Sequence, residues 1–109
     1  MPELKDNPTL ADIQTYVRQL EEERGFTDQS VRDKCLIMGE EVGELFKAVR
    51  KNIGLKVDQN SKFSSVSNEV ADILIFLSSI ANSFNIDMEQ AFREKEEINK
   101  QRNWESSQS

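Results

Sequence analysis

Between Ile37 and Ala48 apolar side chains recur at helical spacing, yet two carboxylates stand among them. On a wheel of about 100° per residue, Glu41 and Glu44 share a sector with Ile37, Leu45 and Ala48. A helix patterned this way turns acids toward the side that should face a core. Desolvating a carboxylate is costly unless positive charge meets it, so either that sector is only nominally apolar or a cation belongs there. The same arrangement recurs 28 residues on, where Glu69 and Asp72 share a sector with Ile73, Phe76 and Ile80. If the two helices pack antiparallel, four carboxylates converge at the edge of one core. Such a cluster repels itself at neutral pH unless some acids keep their protons or a divalent cation enters. A donor set made only of oxygen selects Mg²⁺, with Mn²⁺ as the alternative, over zinc or copper. The plain reading is a solvated acidic face, since a single acidic motif is common on charged helices; its recurrence on the apolar side of a second helix favours the cation.

The rest of the chain supplies the frame for these two helices. Leu10, Ile13, Val17 and Leu20 predict a first helix from about Thr9 that stops near Gly25. Thr27 or Asp28 is the expected N-cap of the second helix, about residues 29–51, with Gly54 as its stop. Residues 54–64 lack a period and read as a loop. Ser64 or Ser65 caps a third helix to about Phe84, where Asn85 suits a left-handed turn. Asp87, with Gln90 three residues later, resembles a capping box for a fourth helix through about Arg102. No strand signal rivals these, so the expected class is all-α, a four-helix-type bundle of antiparallel helices in a single domain over residues 1–109. Residues 1–8, which hold both prolines, read as an extended lead-in and 105–109 as a frayed end.

Histidine is absent, which removes Ser-His and Cys-His catalysis and histidine-based zinc and di-iron sites; carboxylates, Lys, Arg and Asn must carry any chemistry. The net charge of −6 argues against a broad grip on nucleic acid, a local patch near Lys47, Arg50 and Lys51 aside. An acidic chain can still bind a nucleotide through a bridging metal. One cysteine, Cys35, forms no internal disulfide, and the start lacks the plan of a signal peptide, so a cytoplasmic location is expected. No apolar run reaches the roughly 18 residues that span a bilayer, so no membrane role is expected. On the fourth helix Lys95, Asn99 and Arg102 follow i, i+4, i+7 spacing and present two cations and an amide on one stripe, which suits a polyphosphate as well as it suits surface ion pairs with Glu94, Glu96 and Glu97. Glu40, beside the apolar sector, reads as a general base, a support for the neighbouring acids or a plain surface acid. Trp104 reads as core packing or a surface for stacking a base.

EEVGE at 40–44, EVAD at 69–72 and KEEINKQRNW at 95–104 resemble the MazG-like nucleotide pyrophosphohydrolases, which are marked by an EExxE motif followed by ExxD. The separation of the two acidic motifs, residues 45–68, is also similar to that family's, and the resemblance covers about residues 27–104. It implies an all-α enzyme, assembled as a homodimer or a dimer of dimers, that converts a nucleoside triphosphate to the monophosphate and pyrophosphate in clearing non-standard or surplus nucleotides. By position it implies Glu41, Glu44, Glu69 and Asp72 as Mg²⁺ ligands and Glu40 as a water-activating residue. Lys95, Asn99 and Arg102 match its phosphate-contacting stripe. Base recognition varies across the family, with Phe26, Phe46 and the 54–64 loop as candidates here. The alternatives are a non-catalytic helical bundle that binds a partner, metal or nucleotide, and a related all-α dUTPase-like or phosphoribosyl-ATP-cleaving enzyme.

Overall fold

The computed structural model describes residues 2–25, 28–60 and 64–102, and among them it contains four helices and no strand. These are α1 (Leu10–Arg24), α2 (Val31–Asn52), α3 (Val66–Ser83) and α4 (Met88–Lys100). The all-α expectation is met. Expectations for Phe26, Thr27, Trp104 and the 105–109 end fall outside the described residues, as does the 61–63 part of the loop.

The caps explain the boundaries. Thr9 and Asp12 form a reciprocal capping box at the start of α1, and Gly25 closes it in the left-handed conformation at φ 77°. At α2 the cap is Ser30, not Asp28: its hydroxyl accepts from the Asp33 amide at 3.1 Å while Asp33 accepts from the Ser30 amide. The reciprocal pair satisfies two otherwise orphaned donors, which Asp28 two residues earlier, with Val31 as its third residue, could not do. Ser65 caps α3, and Asn85 takes the left-handed turn after it at φ 55°. Asp87 caps α4 through the Gln90 amide at 2.9 Å, but only half the expected box forms, because the Gln90 side chain donates instead to Glu94 one turn on.

α2 and α3 run antiparallel. Lys34 in the first turn of α2 donates to Ser83 at the end of α3 (3.2 Å), while Ala48 near the end of α2 lines one cavity with Val66 at the start of α3. α1 packs on α3, where Leu20 lines one cavity with Ile75 and Phe76, and Val17 and Leu20 are both buried. A buried amide ties α1 to the turn between α3 and α4. Gln14 Nε2 donates to Asn82 Oδ1 (3.0 Å) and to the Ile86 carbonyl (2.7 Å), and its Oε1 accepts from the Met88 amide (3.0 Å). α4 leaves α3 at 93° and packs on α1, with no buried residue of its own.

Candidate metal centre

The antiparallel pairing of α2 and α3 sets Glu41, midway along α2, against the first two turns of α3, which carry Glu69 and Asp72. Carboxylate oxygens of the three lie within 4.8 Å of one another. Glu69 is only 4% exposed, and its Oε2 is buried without a hydrogen-bond partner among the described residues. Its place in the first turn of α3 offers partial compensation, since unpaired amides at a helix start favour negative charge.

The crowding shows in protonation. Glu41 is pushed up to about 7, first by its hydrogen bond with Glu69, then by burial, then by the charges of Glu69, Asp72 and Glu44. Near neutral pH Glu41 is therefore only partly ionised, and a cation at this spot would relieve the same crowding with more charge. A buried orphan oxygen and an all-oxygen donor set fit a hard divalent cation such as Mg²⁺.

Three of the four acids expected to bind metal are thus gathered at one spot. Glu44 stands outside that spacing and acts on Glu41 through space; it is exposed, as is Glu40. The fourth helix behaves differently from its sequence pattern. α4 ends at Lys100, so Arg102 lies beyond the helix, its amide bonded to the Asn99 carbonyl at 3.1 Å. The expected i, i+4, i+7 stripe therefore keeps Lys95 and Asn99 on the helix and loses Arg102 to the turn. Lys95 and Arg102 are exposed and form no ion pair among the described residues, while Asn99 donates to Glu96 (3.2 Å) and keeps a buried, unpartnered Oδ1. No hydrogen bond or ion pair joins α4 to the acid cluster among the described residues. Phe46 is more than half exposed on α2.

Sequence reasoning passed over Lys34. It is buried, 3.2 Å from Glu21 Oε2 and bonded to Ser83, so it links α1, α2 and α3 at the end of α3 away from the cluster. The same wheel that singled out Glu41 would have found it: Lys34 precedes Glu41 by seven residues, two helical turns, and so lies in the same sector.

The family described as the MazG nucleotide pyrophosphohydrolase domain matches residues 29–103 of this chain. Among solved structures the chain is similar to iMazG from Vibrio DAT 722, with a TM-score of 0.60 and 24% identity over 84% of this chain and 98% of that one. At that identity the likeness speaks to the fold. The curated proteins provide no match.

Proposed function

The chain belongs to the MazG nucleotide pyrophosphohydrolase domain family, and from that premise we propose that it hydrolyses nucleoside triphosphates to monophosphate and pyrophosphate with a divalent cation, Mg²⁺ or Mn²⁺, in cytoplasmic clearance of unwanted nucleotides. The observation that carries the reading is Glu69, a nearly buried carboxylate with an unpartnered oxygen beside Glu41 and Asp72. In this proposal those three acids hold the cation, and Glu44, one turn from Glu41, joins them when its side chain swings in. When bound, the cation supplies positive charge against the phosphates and makes a nearby water more acidic. Glu40, exposed at the rim, accepts the proton of that water.

The cations of α4 have a separate part. Lys95 and Asn99, with Arg102 at the helix end, bind the departing pyrophosphate, where a point charge and a planar fork suit its oxygens. Because α4 does not reach the acids of its own chain among the described residues, a second copy brings its α4 to them, which makes a homodimer or homotetramer the working form.

The test is release of pyrophosphate from a panel of standard and modified triphosphates with and without Mg²⁺, for the wild type and for Glu41→Gln and Asp72→Asn. Each variant is expected to lose at least about 100-fold in turnover while keeping its helical circular dichroism. Near wild-type turnover in either variant would remove that acid from the ligand set. Tight Mg²⁺ binding with no pyrophosphate from any triphosphate would instead identify a non-catalytic metal-binding bundle.

A further inference from the structure

α1 is held at two polar points with little apolar surface between them. Its inner face carries Gln14, Val17, Leu20 and Glu21, and of its apolar side chains only Val17 and Leu20 are buried. At one end Gln14 bonds Asn82 of α3 and, across the turn, the Ile86 carbonyl and the Met88 amide. At the other, Glu21 Oε2 lies 3.2 Å from Lys34 Nζ of α2. The seam is loosely filled at this second end: cavities of about 170 and 160 Å³ both border Glu21, whereas a close-packed interior leaves few voids larger than a water. Segments with few buried apolar contacts are the ones that open first.

The ion pair is arranged to part without disturbing the α2–α3 hairpin. Lys34 donates to the Ser83 hydroxyl (3.2 Å), and that hydroxyl donates in turn to the Ser79 carbonyl (3.1 Å), so Lys34 keeps its seat on α3 when α1 moves away. Both charges are nearly buried, Lys34 at 8% exposure and the Glu21 side chain at 14%. Each compensates the other, and removing one leaves the second buried and unpaired. α4 is tied to α1 instead. It packs on α1, buries no residue of its own and leaves α3 at 93° past Asn85, whose left-handed backbone at φ 55° marks the break.

We propose that α1 and α4 form one opening unit, latched to the α2–α3 hairpin by the Lys34–Glu21 ion pair and hinged at the turn between α3 and α4. Opening carries Lys95 and Asn99 away with α4, while Glu41, Glu69 and Asp72 stay together on the hairpin. The consequence for turnover, that opening withdraws the phosphate-binding groups and leaves the acids in place, rests on the pyrophosphohydrolase reading; the opening itself does not.

Hydrogen exchange of the full chain, followed peptide by peptide, tests it. In the wild type α1 and α4 are expected to exchange at a common rate, faster than the core of α2 and α3. Lys34→Met strands Glu21 and is expected to accelerate α1 and α4 together by roughly tenfold or more, with α2 and α3 unchanged. Adding Glu21→Leu to Lys34→Met replaces the pair by an apolar contact, and is expected to return both helices to the wild-type rate or below it. Acceleration of α1 without α4, equal acceleration of all four helices, or no recovery in the double variant would overturn the proposal. The same samples with Mg²⁺ keep the two readings apart. Mg²⁺ is expected to slow exchange in the first turns of α3 in the wild type and in Lys34→Met alike, since its acids belong to the hairpin. If Mg²⁺ slows nothing while α1 and α4 still open together, the latch stands and the metal centre falls. If the Mg²⁺ effect is lost in Lys34→Met alone, the pair holds the hairpin itself and the latch falls.

Discussion

Glu41 holds its proton to unusually high pH because of its hydrogen bond with Glu69, its burial and the charges of Glu69, Asp72 and Glu44. Any cation must displace that proton, so binding and pH are linked. With Glu41 pushed up to about 7, Mg²⁺ affinity is expected to fall as pH drops through that value, by up to roughly tenfold per unit for one proton displaced. The effect on stability has the opposite sense. The folded protein holds this proton more tightly than the unfolded chain, whose carboxyl titrates near 4.5, so the contribution is complete below that value and is lost as pH rises through about 7. The melting temperature of the metal-free protein should decline between pH 5 and pH 8, and Mg²⁺ should raise it most at the upper end. Melting curves over that range, with and without Mg²⁺, check both signs; a metal effect equal at pH 6 and pH 8 would mean that metal binding displaces no proton from Glu41. These residues were legible in the sequence because a carboxylate on an apolar sector breaks the pattern. Lys34 breaks it in the same way and was passed over, since its partner Glu21 lies on another helix and no spacing within α2 announces it.

Elements were legible where one local signal decided them. The left-handed glycine after α1, the serine before α3 and the asparagine after it each mark a helix end that the backbone must satisfy within a few residues, whatever the tertiary packing. At the start of α2 the sequence pointed to Thr27 or Asp28, but the cap is Ser30, whose third residue, Asp33, can bond back. The direction of α4 was not legible, because a residue sixty positions or more away sets it. Gln14 bonds Asn82, the Ile86 carbonyl and the Met88 amide, so one buried side chain on α1 fixes both the turn and the first residue of α4. With no buried residue of its own, α4 has few other restraints. Gln14→Leu keeps the volume but leaves those groups without partners, and is expected to cost about 2 kcal/mol or more. The loss should be local before it is global: hydrogen exchange in α4 should accelerate ahead of that in α2 and α3. Equal acceleration in all four helices would place the restraint on α4 elsewhere.

The described residues bury only four apolar side chains well, Val17, Leu20, Ala48 and Ala81, while Leu36, Phe46, Ile53, Phe84, Phe92 and Ile98 are each more than half exposed. Burying a large apolar side chain contributes about 1.5–3 kcal/mol, so this distribution suits a chain whose core is completed by another. Shape agrees: the radius of gyration is 17.4 Å, against about 13 Å for a compact chain of this length. Along α3 and its C-cap residue, Val70, Leu77 and Phe84 recur every seven residues and are all exposed, the spacing that lets two helices pack side by side. Gly39 and Gly43, one turn apart on α2, have open space where a Cβ would stand, a place for a second backbone to come close. If that second chain also supplies the phosphate-binding stripe, two different dead variants must rescue each other. Glu69→Gln removes an acid from one chain, and Lys95→Ala removes a cation from the other. In a randomly mixed dimer half the molecules carry both, and each has one site that joins intact acids to an intact Lys95. The mixture should therefore recover about a quarter of the wild-type rate, although each parent is inactive. Leu77→Lys, introduced into both variants, should split the assembly to single chains and abolish the rescue. Mixed oligomers that form, as mass spectrometry would show, yet recover nothing would mean that each site draws its acids and its cations from the same chain.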